Sequence, residues 1–350
     1  MFKKFLGSFS RDMGIDLGTA NTLVYVKDKG IIINEPSIVA VNTRTDQILA
    51  VGEEAKKMLG KTPPHIIASR PLVDGVISDF EVTEKMLKYF IDRVHQESMG
   101  IAPRPRVVIG IPLDVTEVER KAVEDAVISA GAREVMLIEE PMAAALGARL
   151  PIREPSGNLL IDIGGGTTEI AVISLGGVVT SQSLRMAGDE FTENIIQYTR
   201  DHFNLLIGEK TAEEIKIKLG SAINQAKPLS MSVRGRDLVT GLPREITISD
   251  SEVREALIKN IKIIIENIRM TIENTPPELA ADIYQRGAVM VGGGSMLKGL
   301  DKLIAAELAI PVQVADDPLT CVVRGAGIIL EDLEHTTDLL LPRREAATIR

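Results

Sequence analysis

Short β-branched apolar runs alternate with amphipathic stretches along the whole chain, the pattern of an α/β architecture in which helices flank sheets. Val107 to Ile111, Val135 to Ile138 and Leu159 to Ile163 read as buried strands, and Ala288 to Val291 as another. Thr116 to Ala130 reads as a helix stopped by Gly131. The clearest helical pattern starts at a cap near Asp250 or Ser251. It spaces Val253, Leu257, Ile261, Ile264, Ile268 and Ile272 by three or four and ends before Pro276 and Pro277. Its apolar stripe is most simply core.

The pattern contains an internal echo. Ile15-Asp16-Leu17-Gly18, followed by Thr22 and the run Leu23 to Val26, recurs as Ile161-Asp162-Ile163-Gly164, followed by Thr168 and Ile170 to Ile173, at an offset of 146 residues. Each copy predicts a strand ending in Asp, a tight glycine turn and a second strand, a hairpin whose tip can approach an anion. Two such hairpins imply two similar domains around one crevice, a usual place for a ligand.

Composition narrows the classes. With 350 residues and 45% hydrophobic content the chain can bury two or so domain cores. Lys and Arg number 40 against 49 Asp and Glu, a net charge of −9 that argues against a surface built to hold nucleic acid. Cys321 is the single cysteine and the four histidines are scattered, so neither an intrachain disulfide nor a zinc site is expected, and a reducing cytosol is the natural compartment. No apolar run reaches the roughly 20 residues of a membrane-spanning helix, and Met1 to Ser10 lacks the pattern of a signal peptide.

The candidate chemistry lies at the glycine turns. Gly18, Thr19, Ala20 and Asn21 offer backbone N–H groups and small polar side chains to an anion. Gly164-Gly165-Gly166-Thr167-Thr168 does so more strongly, because three consecutive glycines permit close backbone approach. A carboxylate sits beside an anion only with a cation between them, so Asp16 and Asp162 together suggest Mg²⁺, held partly through water. Gly292-Gly293-Gly294-Ser295-Met296 follows a strand and precedes the helical Leu297 to Leu308; it fits a ligand loop or a plain tight turn equally well. Glu139-Glu140-Pro141 closes a strand and opens a helix over Met142 to Leu150, where a carboxylate serves either to orient a water or as N-terminal helix charge. Glu213 and Lys216 share a face of the helix Thr211 to Leu219, by itself the spacing of an ordinary surface ion pair.

In the first nine residues Phe2, Phe5, Leu6 and Phe9 fall at helical spacing, with Lys3 and Lys4 on the polar side. Packing on the body and insertion into a lipid interface both fit. Burial of four large side chains releases about 6–8 kcal/mol before ordering costs, marginal anchoring for one copy and far stronger for linked copies.

Taken together, Asp16-Leu17-Gly18-Thr19, Asp162-Ile163-Gly164-Gly165-Gly166-Thr167 and Gly292-Gly293-Gly294 resemble the superfamily of actin, sugar kinases and the seventy-kilodalton heat-shock chaperones. Within it the chain is similar to the MreB family of bacterial actin homologues, to about residue 332. Asn34-Glu35-Pro36-Ser37, Asp74-Gly75-Val76-Ile77, Glu139-Glu140-Pro141-Met142-Ala143-Ala144-Ala145, Pro276-Pro277-Glu278-Leu279-Ala280 and Ala315-Asp316-Asp317-Pro318-Leu319 carry that likeness. The resemblance implies an actin-like α/β fold of two duplicated lobes with ribonuclease H-like cores around a nucleotide cleft. Lobe I is expected over 1–145 plus 321–335, with a small subdomain near 33–75 and the amphipathic segment 1–10. Lobe II is expected over 146–320, with a small subdomain near 185–255, and 336–350 as a flexible tail.

The same resemblance implies ATP and Mg²⁺, slow hydrolysis tied to assembly, and paired protofilaments on the inner face of the cytoplasmic membrane. There such filaments organise the cell-wall elongation machinery and maintain rod shape. Residue by residue, it implies that Gly18, Thr19, Ala20, Asn21 and Gly164 to Thr167, including Gly165 and Gly166, hold phosphates, and that Asp16 and Asp162 serve the magnesium. Glu213, Glu214, Ile215 and Lys216 would flank the nucleoside, and Gly292, Gly293, Gly294, Ser295 and Met296 would pass beside the nucleotide. Glu140 and Thr167 would position the hydrolytic water. Phe2, Phe5, Leu6 and Phe9, joined by Met99 and Ile101 from the loop around Ser98 to Pro103, would contact the membrane; on composition alone that loop is a link before Pro103. The first turn carries no lysine, unlike actin and the chaperones, which leaves charge neutralisation to Mg²⁺ and backbone. A metabolic kinase of the same fold, with a small-molecule acceptor, is the alternative; no segment marks its catalytic Asp base. A chaperone is the weaker rival, since two lobes use nearly all the residues and leave no peptide-binding domain.

Overall fold

The computed structural model describes residues 12–96 and 104–342; the candidate membrane residues Phe2, Phe5, Leu6, Phe9, Met99 and Ile101 lie outside them. The chain divides into two compact units, one of Met1–Glu154, Leu175–Gly177 and Thr320–Arg350, the other of Pro155–Ser174 and Val178–Leu319. Among the described residues no helix is long and apolar enough to cross a membrane.

The first unit opens with the hairpin β1 (Met13–Leu17) and β2 (Asn21–Val26), followed by β3 (Gly30–Pro36). A small three-stranded sheet comes next, β4 (Val39–Asn42), β5 (Gln47–Val51) and β6 (Ile66–Ser69), with the short helix α1 (Glu53–Lys56) beside it. The pair β7 (Leu72–Val73) and β8 (Val76–Ile77) leads into α2 (Phe80–Gln96). Then come β9 (Arg106–Ile111), α3 (Glu117–Ser129), β10 (Glu134–Glu139) and α4 (Glu140–Gly147). The main sheet runs β10-β9-β1-β2-β3, with β1 antiparallel to β2 and parallel to β9, and β9 parallel to β10. Its apolar faces bury Met13, Ile15, Val107 and Ile109 with Leu87, Phe90 and Val127 from the covering helices. The predicted helix at Thr116 begins there through a capping box with Glu119 and stops at Ala130, before Gly131 at φ 118°.

The second unit repeats the design. The hairpin β11 (Asn158–Ile163) and β12 (Thr168–Ser174) is followed by β13 (Gly177–Leu184), α5 (Gly188–Phe203), β14 (Leu205–Leu206) and α6 (Glu209–Leu219). A second hairpin, β15 (Ser230–Asp237) and β16 (Pro243–Ser249), leads into α7 (Asp250–Glu273) and α8 (Pro277–Arg286). The unit closes with β17 (Ala288–Val291), α9 (Leu300–Leu308) and β18 (Val312–Val314). The main sheet runs β13-β12-β11-β17-β18, with β11 antiparallel to β12 and parallel to β17, and β17 parallel to β18. The stripe Val253, Leu257, Ile261, Ile264 and Ile268 of α7 is core, as its spacing predicts. The cap of α7 is Ser249, one residue before the expected position. Its hydroxyl accepts from the Glu252 amide at 3.4 Å while Glu252 accepts from the Ser249 amide at 2.7 Å, and Asp250 instead accepts from the Leu229 amide at 3.1 Å.

The chain returns to the first unit as α10 (Cys321–Glu331) and α11 (Leu333–Thr336). Helix α10 crosses α4 at backbone contact: a Cβ on Gly325 would lie 1.8 Å from the Ala143 carbonyl, so only glycine permits this crossing. Contacts carry the first unit past the expected boundary at 145 to Glu154. The Leu150 amide donates to Ala145 at 2.9 Å, and the Gly176 and Leu175 amides return to Ile152 and Glu154 at 2.8 and 3.2 Å. Residues 336 to 342, expected to begin a flexible tail, are packed. Leu339 is buried, Asp338 holds Arg153 at 2.9 Å, and the Leu341 amide donates to the Leu137 carbonyl of the edge strand β10 at 2.9 Å. The burial of Leu339 and the bond of Leu341 to an edge strand are what the tail's composition hides.

Candidate functional site

The echo in sequence is an echo in register. Leu17 pairs with Thr22 and Asp16 with Leu23 in the first hairpin; Ile163 pairs with Thr168 and Asp162 with Glu169 in the second. Each Asp thus stands at the end of a strand that runs parallel to its other neighbour, and in open α/β sheets ligands gather at the carboxyl ends of such strands.

In the first unit, Asp16 is half-buried and the turn Gly18 to Ala20 is fixed by residues reaching in from other segments. Ser37 Oγ donates to the Gly18 carbonyl at 2.6 Å and its amide donates to the Ala20 carbonyl at 3.0 Å. The Gly75 amide donates to Thr19 Oγ1 at 3.0 Å. Gly75 follows Asp74, both at positive φ (76° and 50°), as a two-residue turn between β7 and β8 requires. Thr19 is buried, and because its oxygen is the acceptor its proton remains to donate elsewhere. Asn21 begins β2 opposite Pro36. At the neighbouring strand ends, Gly110 makes room for Glu140: a Cβ there would meet Glu140 Cγ at 3.1 Å. Glu140 is the first residue of α4, with Pro141 behind it, and Glu139 precedes it as a helix cap whose side chain makes no capping bond. Burial raises the carboxyl pKa of Glu139 above its ordinary value.

In the second unit the backbone fixes the turn. The Gly164 amide donates to Thr167 O at 2.9 Å, and the first amides of α5, at Gly188 and Asp189, donate to Gly164 O and Gly165 O at 3.2 and 2.8 Å. Gly165, Gly166 and Thr167 close the turn before β12, where Thr168 Oγ1 donates to Met186 O at 2.7 Å. Asp162 is 8% exposed, and desolvation pushes its carboxyl pKa up to about 7. The parallel register Asp162 to Val291 sets the third glycine loop directly beside it. Gly292 has φ 79°, and a Cβ on it would lie 2.4 Å from both Asp162 Oδ1 and Ile163 O; one on Gly294 would strike Ile163 Cγ2 at 2.3 Å. Gly293 to Met296 form a 3₁₀ turn, closed by Ser295 Oγ donating to Gly292 O at 2.6 Å, and the helix starts only at Leu300 rather than Leu297. Gly299 at φ 74° separates the two. Ser295 is buried and Met296 is exposed.

Helix α6 sorts its four candidates. Lys216 Nζ lies 2.6 Å from Glu213 Oε2 and donates to Gly188 O at 2.8 Å, which ties the pair to the residue that braces the glycine turn. Ile215 belongs instead to the stripe Ala212, Ile215 and Leu219, fully inside the core, so its side chain does not join Glu213 and Lys216. Glu214 faces outward, with Lys218 at 3.9 Å. Gly188 and Thr192 are residues the sequence does not single out, and Ser37 it marks only for family likeness: each acts through a partner 19 or more positions away. Groups of three or more His, Cys, Asp and Glu placed to hold a metal ion do not occur among the described residues. A cation at Asp162 therefore needs oxygen from water or from the ligand as well.

Two sheets of one topology, each with an Asp at the end of its hairpin's first strand, define an actin-like protein. The family model of the MreB/Mbl protein matches residues 10–338. The cell shape-determining protein MreB of Escherichia coli (strain K12) is 53% identical over 346 residues, covering 97% of this chain and 99% of the relative. The cell shape-determining protein Mbl of Bacillus subtilis (strain 168) is 50% identical over 337 residues, 96% of this chain and 99% of the relative. The crystal structure of MreB5 of Spiroplasma citri bound to ADP superposes with a TM-score of 0.89 at 40% identity, covering 94% of this chain and 98% of that one. The chain belongs to the MreB/Mbl family.

Proposed function

We propose that this chain is a filament-forming cytoskeletal ATPase that lies on the cytoplasmic face of the bacterial membrane, organises cell-wall synthesis and maintains rod shape. The observation that carries the reading is the buried Asp162 enclosed by two glycine loops in which a Cβ at Gly292 or Gly294 would collide. A buried carboxylate with its pKa pushed to about 7 gains from a cation, and glycine loops give backbone N–H groups access to phosphate. Relatives of this length determine cell shape, and MreB5 binds ADP and AMPPNP.

When bound, Mg²⁺ and ATP supply the phosphoanhydride and its charge neutralisation. Asp162 and Asp16 are the carboxylates that would serve the cation. Thr19 would donate its proton, and Gly18, Ala20, Asn21 and the Gly164 to Thr167 turn would offer amides to the phosphates. Glu213 and Lys216 would take the nucleoside, with Gly292 to Met296 alongside. Glu140 and Thr167 would orient the attacking water, a job of positioning rather than proton transfer. Hydrolysis by such a site is slow and is tied to assembly of chain upon chain.

Membrane contact rests on the helical spacing of Phe2, Phe5, Leu6 and Phe9 with Lys3 and Lys4 on the polar side. Electron microscopy of the purified full-length chain with Mg-ATP, with and without anionic liposomes, tests the reading: filaments lying on lipid are expected. Dispersed particles at all concentrations would turn attention to a small-molecule kinase. Within the site, Glu140→Ala should keep ATP affinity and slow phosphate release; full hydrolysis in that variant removes Glu140 from the water.

A further inference from the structure

We infer that Thr192 is a positioning residue for the nucleoside, holding Glu213 and Lys216 in place; the inference rests on the nucleotide reading above. Thr192 is 4% exposed, on the inner face of α5, one turn after Gly188. Its hydroxyl is the hub of a four-membered polar cluster. Oγ1 lies 2.8 Å from Glu213 Oε2 and 3.0 Å from Gly188 O, and the Lys216 ammonium donates into it at 3.0 Å. Lys216 also donates to Gly188 O at 2.8 Å, and Gly188 in turn donates its amide to Gly164 O at 3.2 Å.

An ion pair spaced three apart on a helix is ordinarily loose, because both side chains keep their rotamer freedom. Here the hydroxyl removes that freedom. The Thr192 proton has two acceptors, Glu213 and the Gly188 carbonyl, and its lone pair takes the Lys216 proton, so all three groups are held at one point. Lys216 is 15% exposed and Glu213 36%, so the pair is fixed from the buried side and offered to the outside. Hydrogen bonds to charged groups in such a setting are among the stronger ones, and a side chain ordered before its ligand arrives spares the ligand that cost. The phosphate turn does not need this hydroxyl, because its bonds to Gly188 and Asp189 are backbone to backbone.

The test is the affinity of the full-length chain for two probes in the presence of magnesium, ATP and inorganic triphosphate. Thr192→Val should weaken ATP by about tenfold, the effect of losing a hydrogen bond to charged groups, and leave triphosphate unchanged. Thr192→Ser, which keeps the hydroxyl, should restore the wild-type ratio. Thr192→Ala removes the same oxygen without adding a methyl and carries the same expectation should the valine variant not fold. An unchanged ATP affinity in the variants overturns the role, and so does an equal loss for both probes, which would mark Thr192 as support for the turn alone. A wild-type chain that binds neither probe overturns the nucleotide reading itself.

Discussion

The two hairpins share strand order, direction and register, yet the first turn involves two side-chain hydroxyls and the second only backbone. The first turn is held by residues from distant segments, with the Ser37 hydroxyl and amide on Gly18 and Ala20 and the Gly75 amide on the turn's own Thr19 hydroxyl. The second is braced by amides of its own unit, Gly164 to Thr167 and α5 to Gly164 and Gly165. Their carboxylates differ as well: Asp16 is half-buried, whereas Asp162 is nearly enclosed and its pKa rises to about 7. A duplicated scaffold therefore supplies position, and what packs over each strand end decides its chemistry. The second end is the one where burial most disfavours the charged carboxylate.

The largest expected effect separates the two Asp residues by pH. Asp162 binds its proton more tightly in the folded than in the unfolded chain, so the folded state loses stability as pH rises from about 4 to about 7 and is flat above that. Without magnesium and nucleotide, Asp162→Asn should remove that slope and stabilise the chain at pH 7.5, by on the order of 3–4 kcal/mol. Urea unfolding across that range, beside Asp16→Asn, measures it; equal slopes for the two variants would erase the contrast.

Next comes glycine. Gly292→Ala combines positive φ with contacts at 2.4 Å and should cost about 3 kcal/mol, together with loss of ATP binding. Gly18→Ala, 2.8 Å from the Asn21 carbonyl and without positive φ, should cost about half as much. Thermal unfolding of both, with isothermal titration of Mg-ATP, ranks them.

The smallest effects come from the two threonines that the sequence repeat aligns. Thr168→Val leaves the half-buried Met186 carbonyl without its hydroxyl donor and should cost about 1–1.5 kcal/mol. Thr22→Val removes a bond to Ser37, which still donates to Gly18, and should cost less than about 1 kcal/mol. If the order reverses in denaturant titrations, the first turn is the more tightly braced of the two.

Much of this was legible in one dimension. The 146-residue echo predicts the duplicated hairpins, since period-two apolar runs and glycine turns are local signals, and Asp162 with its three glycines is named by the repeat. The stripe of α7 and the extent of α3 up to Gly131 follow from local signals as well. The side chain of Ile215 turns away from Glu213 and Lys216 because neighbours on a helix cannot all face one way, and only the packing of Ala212, Ile215 and Leu219 tells which face is core. Residues 336 to 342 looked like tail because their partners, Arg153 and the edge of β10, lie about 180 to 200 positions away.

By itself, then, the sequence determined the strands, the turns, the pairing of two glycine-ended hairpins and the family to which they belong. Those rest on periodicity and local backbone freedom, which neighbouring residues decide. The tertiary structure alone decided that Gly292 lies against Asp162, that Thr192 joins Glu213 to Lys216, and that Asp162 is buried more deeply than Asp16. Each of these depends on segments brought together from far along the chain, and desolvation and steric exclusion are properties of that assembly rather than of any residue's neighbours in sequence.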